Sequence, residues 1–432
     1  MRYSRLLVVA ALLTTVAIAL IAANIGIYFE TNDDVSMMLL AHGIAMTSHP
    51  TNLLLFSNRI QGELIGWIGM PFGQPGYSIY MFASLVLGIS FLFASLRRLN
   101  GNAILSALII AVLAVRPICA PQFTITASLL MLAAVVVFLD YRQSGDARLL
   151  VPAAALGFLG MLMRVDAAAF AFILATPILV RRSSFRLPAI VTATVFAVAA
   201  IGAFWWDRIG YLTPAWATFS AVEESRAWFT DYGLGSLLAD RAELLHRVGW
   251  SRNDLDMFGQ WWFFDPAVYT PQRMHELVAA AGMIGSGGVR YELVQTWLLS
   301  LINWDTIVVT ALALSLAIWR IAKGQFWIAP CLLLCILAFV GFTILGRPGV
   351  TRVSYSAMMV LLVLSATASI AIRETRVFIA ALSIGLVALV VLFYDNARLM
   401  RAQQMLALAD MKSLPSDQVI VVWADAWPYQ FI

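Results

Sequence analysis

Apolar and polar positions alternate along this chain in long blocks, not at the period of two that marks a half-buried strand. Read with a window of about 20 residues, the length that crosses a hydrocarbon core as a helix, the apolar blocks fall near 6–29, 77–96, 103–115, 123–140, 149–163, 167–180, 187–204, 306–322, 326–345, 354–372 and 377–394. These about eleven candidate spans predict an all-α multi-pass membrane protein. The first block is too long for a signal-peptide core and lacks a small-residue cleavage site, so it reads as a retained helix.

The polar connectors sort by charge. MRYSR at the start, RRLN at 97–100, RRSSFR at 181–186, RIAKG at 320–324 and RETR at 373–376 are short and basic. The bias of Lys and Arg toward the cytoplasmic side places them inside. The connectors between them are long or carry acids and belong outside. The expected topology therefore has a cytoplasmic N-terminus and an outer C-terminus.

Between two inner connectors the block 149–180 must cross an even number of times, and its one interruption is Arg164-Val165-Asp166. Each arm has about 15 residues, roughly 22 Å at the helical rise, against a core about 30 Å thick. The turn is thus expected below the outer surface, where charge survives only beside protein or in a water-filled cavity. The block 103–115 is also short and ends in Arg116-Pro117. Both arginine-bearing turns are expected to face one sunken outer cavity.

Two outer segments are long, 30–76 and 205–305. The second predicts short amphipathic helices: Ser251 precedes one, and Thr270-Pro271 opens another with a cap residue followed by proline. Its tryptophans (Trp205, Trp206, Trp216, Trp250, Trp261, Trp262) suit the headgroup region. The domain plan is a membrane domain over 1–394 and an outer segment over 395–432. That tail predicts a helix and then, at Val419–Trp423, a short strand that begins an incomplete soluble domain.

Composition sharpens the class. Of 432 residues 61% are hydrophobic and 12% charged, which excludes a water-soluble globular protein. The net charge of +4 comes almost wholly from arginine, with lysine only at Lys323 and Lys412; nothing in that pattern suits nucleic acid. The three cysteines (Cys119, Cys331, Cys335) form neither a disulfide framework nor a zinc motif, and Cys331 and Cys335 share one apolar face.

The chemistry gathers where the first block ends, in YFETNDDVSMM at 28–38. In one reading Asn32 and Asp33 cap a helix starting near Val35. In the other, Asp33 and Asp34 are carboxylates facing a cationic cavity, the arrangement that deprotonates a hydroxyl while a phosphate departs. Arg116 and Arg164 are the candidate phosphate ligands, because arginine grips phosphate through two parallel hydrogen bonds. The alternative for Arg164 is a local pair with Asp166. Arg59, Arg347 and Arg352 lie on outer segments against the expected charge bias and are candidate anion ligands. Against the substrate acceptor stand Arg59, His42, Asp166 and Asp254, although Asp254 with Asp256 also fits a helix start after Ser251. No cofactor is required by these residues; the one that His42, His49 and the acids admit is a divalent cation.

An inside N-terminus, an acidic pair just beyond the first span, about eleven spans and an outer C-terminus resemble the GT-C superfamily of integral-membrane glycosyltransferases. The stretches ETNDDVSMMLLAHG, FSNRIQGELIGW, PQFTITASLL, RVGWSRNDLDMFGQWWFFD and LGRPGVTR are similar to a group of bacterial multi-pass proteins with an Asn-Asp-Asp motif in this place. That resemblance implies a bacterial inner-membrane enzyme that moves a sugar from a polyprenyl-phosphate donor to a hydroxyl of a glycan, lipid or protein acceptor. It implies Asp33 as general base, Asp34 as a helper on the acceptor or a cation, a periplasmic acceptor site, and a donor arriving sideways from the membrane lipids. Many members carry Asp-Glu where this chain has Asp-Asp, which leaves the choice of base open. A transporter or flippase of a lipid-linked sugar is the second expectation, because broken short helices with intramembrane charge also mark transporters.

Overall fold

The computed structural model describes residues 3–44, 47, 49–72, 76–181, 187–260, 265, 267–282, 291–368 and 372–413. They are helical throughout, with no strand among the described residues. The strand expected at Val419–Trp423 lies outside them, as do Trp261 and Trp262.

Helix α1 (Tyr3–Asn24) leads into an extended segment. The Tyr28 and Glu30 amides there donate to the Cys119 and Pro121 carbonyls, each at 3.3 Å. Two short helices follow, α2 (Asn32–His42) and α3 (Arg59–Phe72). The chain leaves α2 through Gly43, whose φ is +66°. A Cβ at that glycine would also lie 2.4 Å from the His49 carbonyl carbon, so only glycine makes this turn.

Next come α4 (Gly76–Asn100), α5 (Ala103–Cys119) and α6 (Phe123–Ser144). Asn102 and Gln122 cap the last two, each accepting a first-turn amide at 3.0 Å. Helix α6 is the axis of the molecule: 89% of its apolar window is buried, against 17% for α1. Helices α7 (Leu150–Met163) and α8 (Val165–Val180) are separated only by Arg164, whose backbone is extended (φ −161°, ψ 106°). Both lie along α6. Ser128 donates to the Ala167 carbonyl at 3.3 Å near the start of α6, and Arg142 donates to the Leu179 carbonyl near its end. A Cβ on Gly160 would stand 2.8 Å from the Ala127 carbonyl oxygen. The chain thus runs back along α6 as α7, turns at Arg164 and returns as α8, parallel to α6: the expected hairpin, with its break at the expected residue.

Helix α9 (Leu187–Tyr211) has only 11% of its apolar window buried. Above it α10 (Pro214–Thr230), α11 (Leu234–Leu238), α12 (Ala242–Arg247), α13 (Arg252–Gly259) and α14 (Pro271–Gly282) build a unit with its own core. Phe229, Leu238, Leu245, Trp250, Phe258, Met274 and Leu277 fill it. Ser251 caps α13 and the Thr270 hydroxyl accepts the Arg273 amide at 3.3 Å, as their positions predict.

Helices α15 (Tyr291–Ile302) and α16 (Ile307–Ala322) meet at 91°. The last three are α17 (Ala329–Ile344), the buried α18 (Thr351–Ala366) and α19 (Ile372–Ser413). The final apolar block and the expected tail helix are one continuous α19 of 42 residues. Cys331 and Cys335 are free and buried, packing residues as expected.

Among the described residues six helices are long and apolar enough to cross a membrane, or seven if the bent α15–α16 pair is one span. Four further apolar helices, Ala103–Cys119, Ala147–Met163, Val165–Val180 and Thr351–Ala366, are shorter. The chain is a multi-pass membrane protein by this measure, with fewer full-length spans than the apolar blocks predict.

Candidate functional site

The acidic pair begins α2, but it does not cap it. Thr31 is the N-cap residue, with extended backbone (φ −131°, ψ 155°), and Asn32 and Asp33 are already helical. The cap expected at Asn32 and Asp33 is therefore corrected by one turn position. The Thr31 hydroxyl donates to Asp34 Oδ2 at 2.9 Å. Asp34 Oδ1 accepts the Tyr77 hydroxyl at 2.9 Å and the Phe123 amide at 3.1 Å. Asp34 is fully buried, so its carboxylate fastens α2 to α4 and to the N-terminal end of α6, where the helix dipole favours negative charge. Burial nevertheless pushes its pKa up to about 7, against the lowering effect of its three donors. Both oxygens are occupied, and the expected role of Asp34 on the acceptor or a cation gives way to a structural one.

Asp33 points elsewhere, because successive helical residues diverge by about 100°. It is half-buried and makes no hydrogen bond or ion pair among the described residues. Burial raises its pKa; Arg352 and Arg164 oppose that, Asp231 reinforces it and Arg226 opposes it again. These groups arrive from α18, the α7–α8 turn and the end of α10.

Arg164 sits at the hairpin turn with its guanidinium 4.8 Å from the Phe123 ring centroid. Its Nε donates to Asp166 at 2.9 and 3.2 Å, the local pair that the spacing admits. Its Nη1 is buried and has no partner among the described residues. Arg352 lies in the first turn of α18, and its side chain likewise has no hydrogen-bond partner among them. Arg347 stands over the Tyr232 ring at 5.5 Å and donates to its hydroxyl at 3.4 Å. The 346–350 loop that carries Arg347 and leads into the turn with Arg352 is pinned from α15: Trp297 Nε1 donates to the Arg347 carbonyl at 3.1 Å, and the Gly349 amide donates to Thr296 Oγ1 at 2.7 Å. A Cβ on Gly349 would fall 2.4 Å from the Thr296 backbone, which is why glycine stands there.

Other expected site residues lie apart. Arg116 is 2% exposed, and its Nη2 binds Glu30 and Asp305, each at 2.8 Å. Its guanidinium also lies 4.8 Å from the Tyr355 ring. Arg116 is thus held by two carboxylates and a ring and is withdrawn as a phosphate ligand. Arg59 pairs with Glu63 at 3.3 Å and stacks on Trp206 at 4.6 Å, on the α3–α9 side. Asp166 faces solvent beyond Arg164. Asp254 closes a capping box with Ser251, so the helix-start reading replaces the acceptor role. His42 ends α2, and its Nε2 is buried without a partner among the described residues. No group of three or more His, Cys, Asp or Glu among the described residues is placed to hold a metal.

Sequence reasoning missed Asp231, Arg226 and Tyr232. Asp231 is the C-cap of α10, an end where the dipole disfavours an acid; that misfit was its one readable signal. Arg226 is nearly buried, holds Glu223 at 2.8 and 2.5 Å, and donates to Thr230.

No family model, curated protein or solved structure gives a significant match to this chain. What the site can do is therefore decided by its own groups: a carboxylate with no hydrogen bond among the described residues lies in the field of two guanidinium groups that have donors to spare. Such an arrangement can take a proton and can bind an anion.

Proposed function

We propose that the chain is a glycosyltransferase of a bacterial inner membrane, moving a sugar from a polyprenyl-phosphate donor to an acceptor hydroxyl at the outer face. In this reading the four shorter apolar helices also cross, giving about eleven spans, with the N-terminus cytoplasmic and the C-terminus periplasmic. The observation that carries it is the placement of unbonded Asp33 in the field of Arg164 and Arg352.

The chemistry is one displacement. The acceptor O–H bond breaks and its proton passes to Asp33. The oxygen attacks the anomeric carbon, and the bond to the phosphate oxygen breaks with its electron pair on the phosphate. Arg164 and Arg352 hold the charge that develops there. Burial makes Asp33 a stronger base than an exposed aspartate, and the two arginines act against that rise. A single displacement inverts the anomeric configuration.

The test is transfer of labelled sugar from a polyprenyl-phosphate donor by the purified chain in nanodiscs. Turnover that depends on Asp33 is expected. Release of intact lipid-linked sugar to the opposite leaflet, with no new glycosidic bond, would instead favour the flippase reading.

A further inference from the structure

Behind the candidate site lies a second group of charges that the transfer reaction does not use. Arg116 Nη2 touches Glu30 Oε1 and Asp305 Oδ2, each at 2.8 Å. The other terminal atom of each group, Arg116 Nη1, Glu30 Oε2 and Asp305 Oδ1, is buried and hydrogen-bonds to nothing among the described residues. Each is bonded through a single carbon to an atom at the Nη2 junction, so all three belong to one buried cluster. Buried polar atoms of native proteins are almost always paired, with protein or with ordered water. Here two acceptors and one donor remain, and a proton on one carboxyl turns one of the acceptors into a donor.

Charge adds a second constraint. Two carboxylates share one guanidinium, leaving the enclosed group one negative charge in excess if both are ionised. Like charges in one buried place drive one carboxyl to keep its proton. We propose that Glu30, Arg116 and Asp305 form a buried site that binds one proton. Burial raises the Glu30 pKa, with Asp305 acting in the same sense and Arg116 and Arg352 against it. The other titratable neighbours are Tyr28 on the same segment and Tyr355 on α18.

Arg352 connects this site to the first, because it feels both Asp33 and Glu30. With Glu30 protonated, Arg352 is drawn to Asp33 and to an anion bound there; with Glu30 ionised, part of its charge is engaged behind. The exposure of the side chains, 21% for Glu30 against 2% for Arg116, marks Glu30 as the side from which the proton enters.

The site is tested without any substrate, by infrared difference titration of protonated carboxyl groups in the purified full chain in nanodiscs. A carboxyl band present at neutral pH is expected in wild type and in Asp34→Asn, and its loss is expected in Glu30→Gln and in Asp305→Asn. Two variants are used so that a folding failure in one leaves the other to decide. A neutral-pH spectrum from which neither variant removes a band would overturn the proposal, as would a metal ion found in the cluster by elemental analysis and cryo-EM density. Because the band is read with no donor present, absence of sugar transfer would count against the enzyme reading and leave this site standing.

Discussion

The Tyr77 hydroxyl donates to Asp34 Oδ1 at 2.9 Å, across 43 residues of sequence, and so joins the first turn of α2 to α4. Removing the carboxylate leaves that hydroxyl and the Phe123 amide buried without an acceptor. Asp34→Ala is expected to cost about 3 kcal/mol, since each buried group left unpaired costs about 1–3 kcal/mol. Asp34→Asn keeps an acceptor for Tyr77 and Phe123 and a donor for Thr31, whose hydroxyl can turn, and is expected near wild type. Thermal unfolding of both variants checks the contrast.

The same residue carries a pH dependence. The Asp34 pKa is raised from 3.8 to about 7 in the folded chain. Its contribution to stability is therefore fully present below its unfolded pKa and is lost as pH rises toward and through about 7. Wild type is expected to lose melting temperature over that window more steeply than Asp34→Asn. Parallel curves would exclude Asp34 as the cause.

Gly349 tests the seat of the arginine loop. Gly349→Ala pushes a methyl group against the Thr296 backbone and is expected to cost about 1–3 kcal/mol, the usual range for overpacking. It should also weaken binding of a polyprenyl-phosphate probe, because the loop carries Arg347 and leads directly into the helical turn with Arg352. Unchanged stability and binding would remove this loop from the account.

Arg352 is expected to act on both substrate and base. Arg352→Gln removes a charge-assisted partner worth about 1.5–3 kcal/mol, which is roughly a 10- to 150-fold loss of affinity for the lipid phosphate. It also removes the largest influence lowering the Asp33 pKa, so the acid limb of the pH–rate profile should move to higher pH. A weaker Kd with an unmoved limb would separate Arg352 from Asp33.

How much of this was legible in the sequence varies by element. The helices follow the apolar blocks, and the hairpin break could be read because Arg164 is the one interruption between 149 and 180. The cap of α2 could not, since Thr31, Asn32 and Asp33 are comparable cap residues in a row. The burial of Asp34 was equally hidden: its partner Phe123 lies 89 residues away. Arg116 looked like a free cation for the same reason, its two carboxylates standing far off in sequence at Glu30 and Asp305. The apolar block over 354–372 outruns its helix, which ends at Ala366, and so that helix falls short of full spanning length.

Asp33→Asn remains the most direct measurement. Asp33 occupies a helical position and not the cap, so asparagine keeps its shape and removes only the proton acceptor. Sugar transfer from a polyprenyl-phosphate donor is expected to fall by about 10²–10⁴-fold, with melting temperature and donor binding near wild type. Turnover at the wild-type rate by Asp33→Asn would contradict the assignment of this carboxylate as the base.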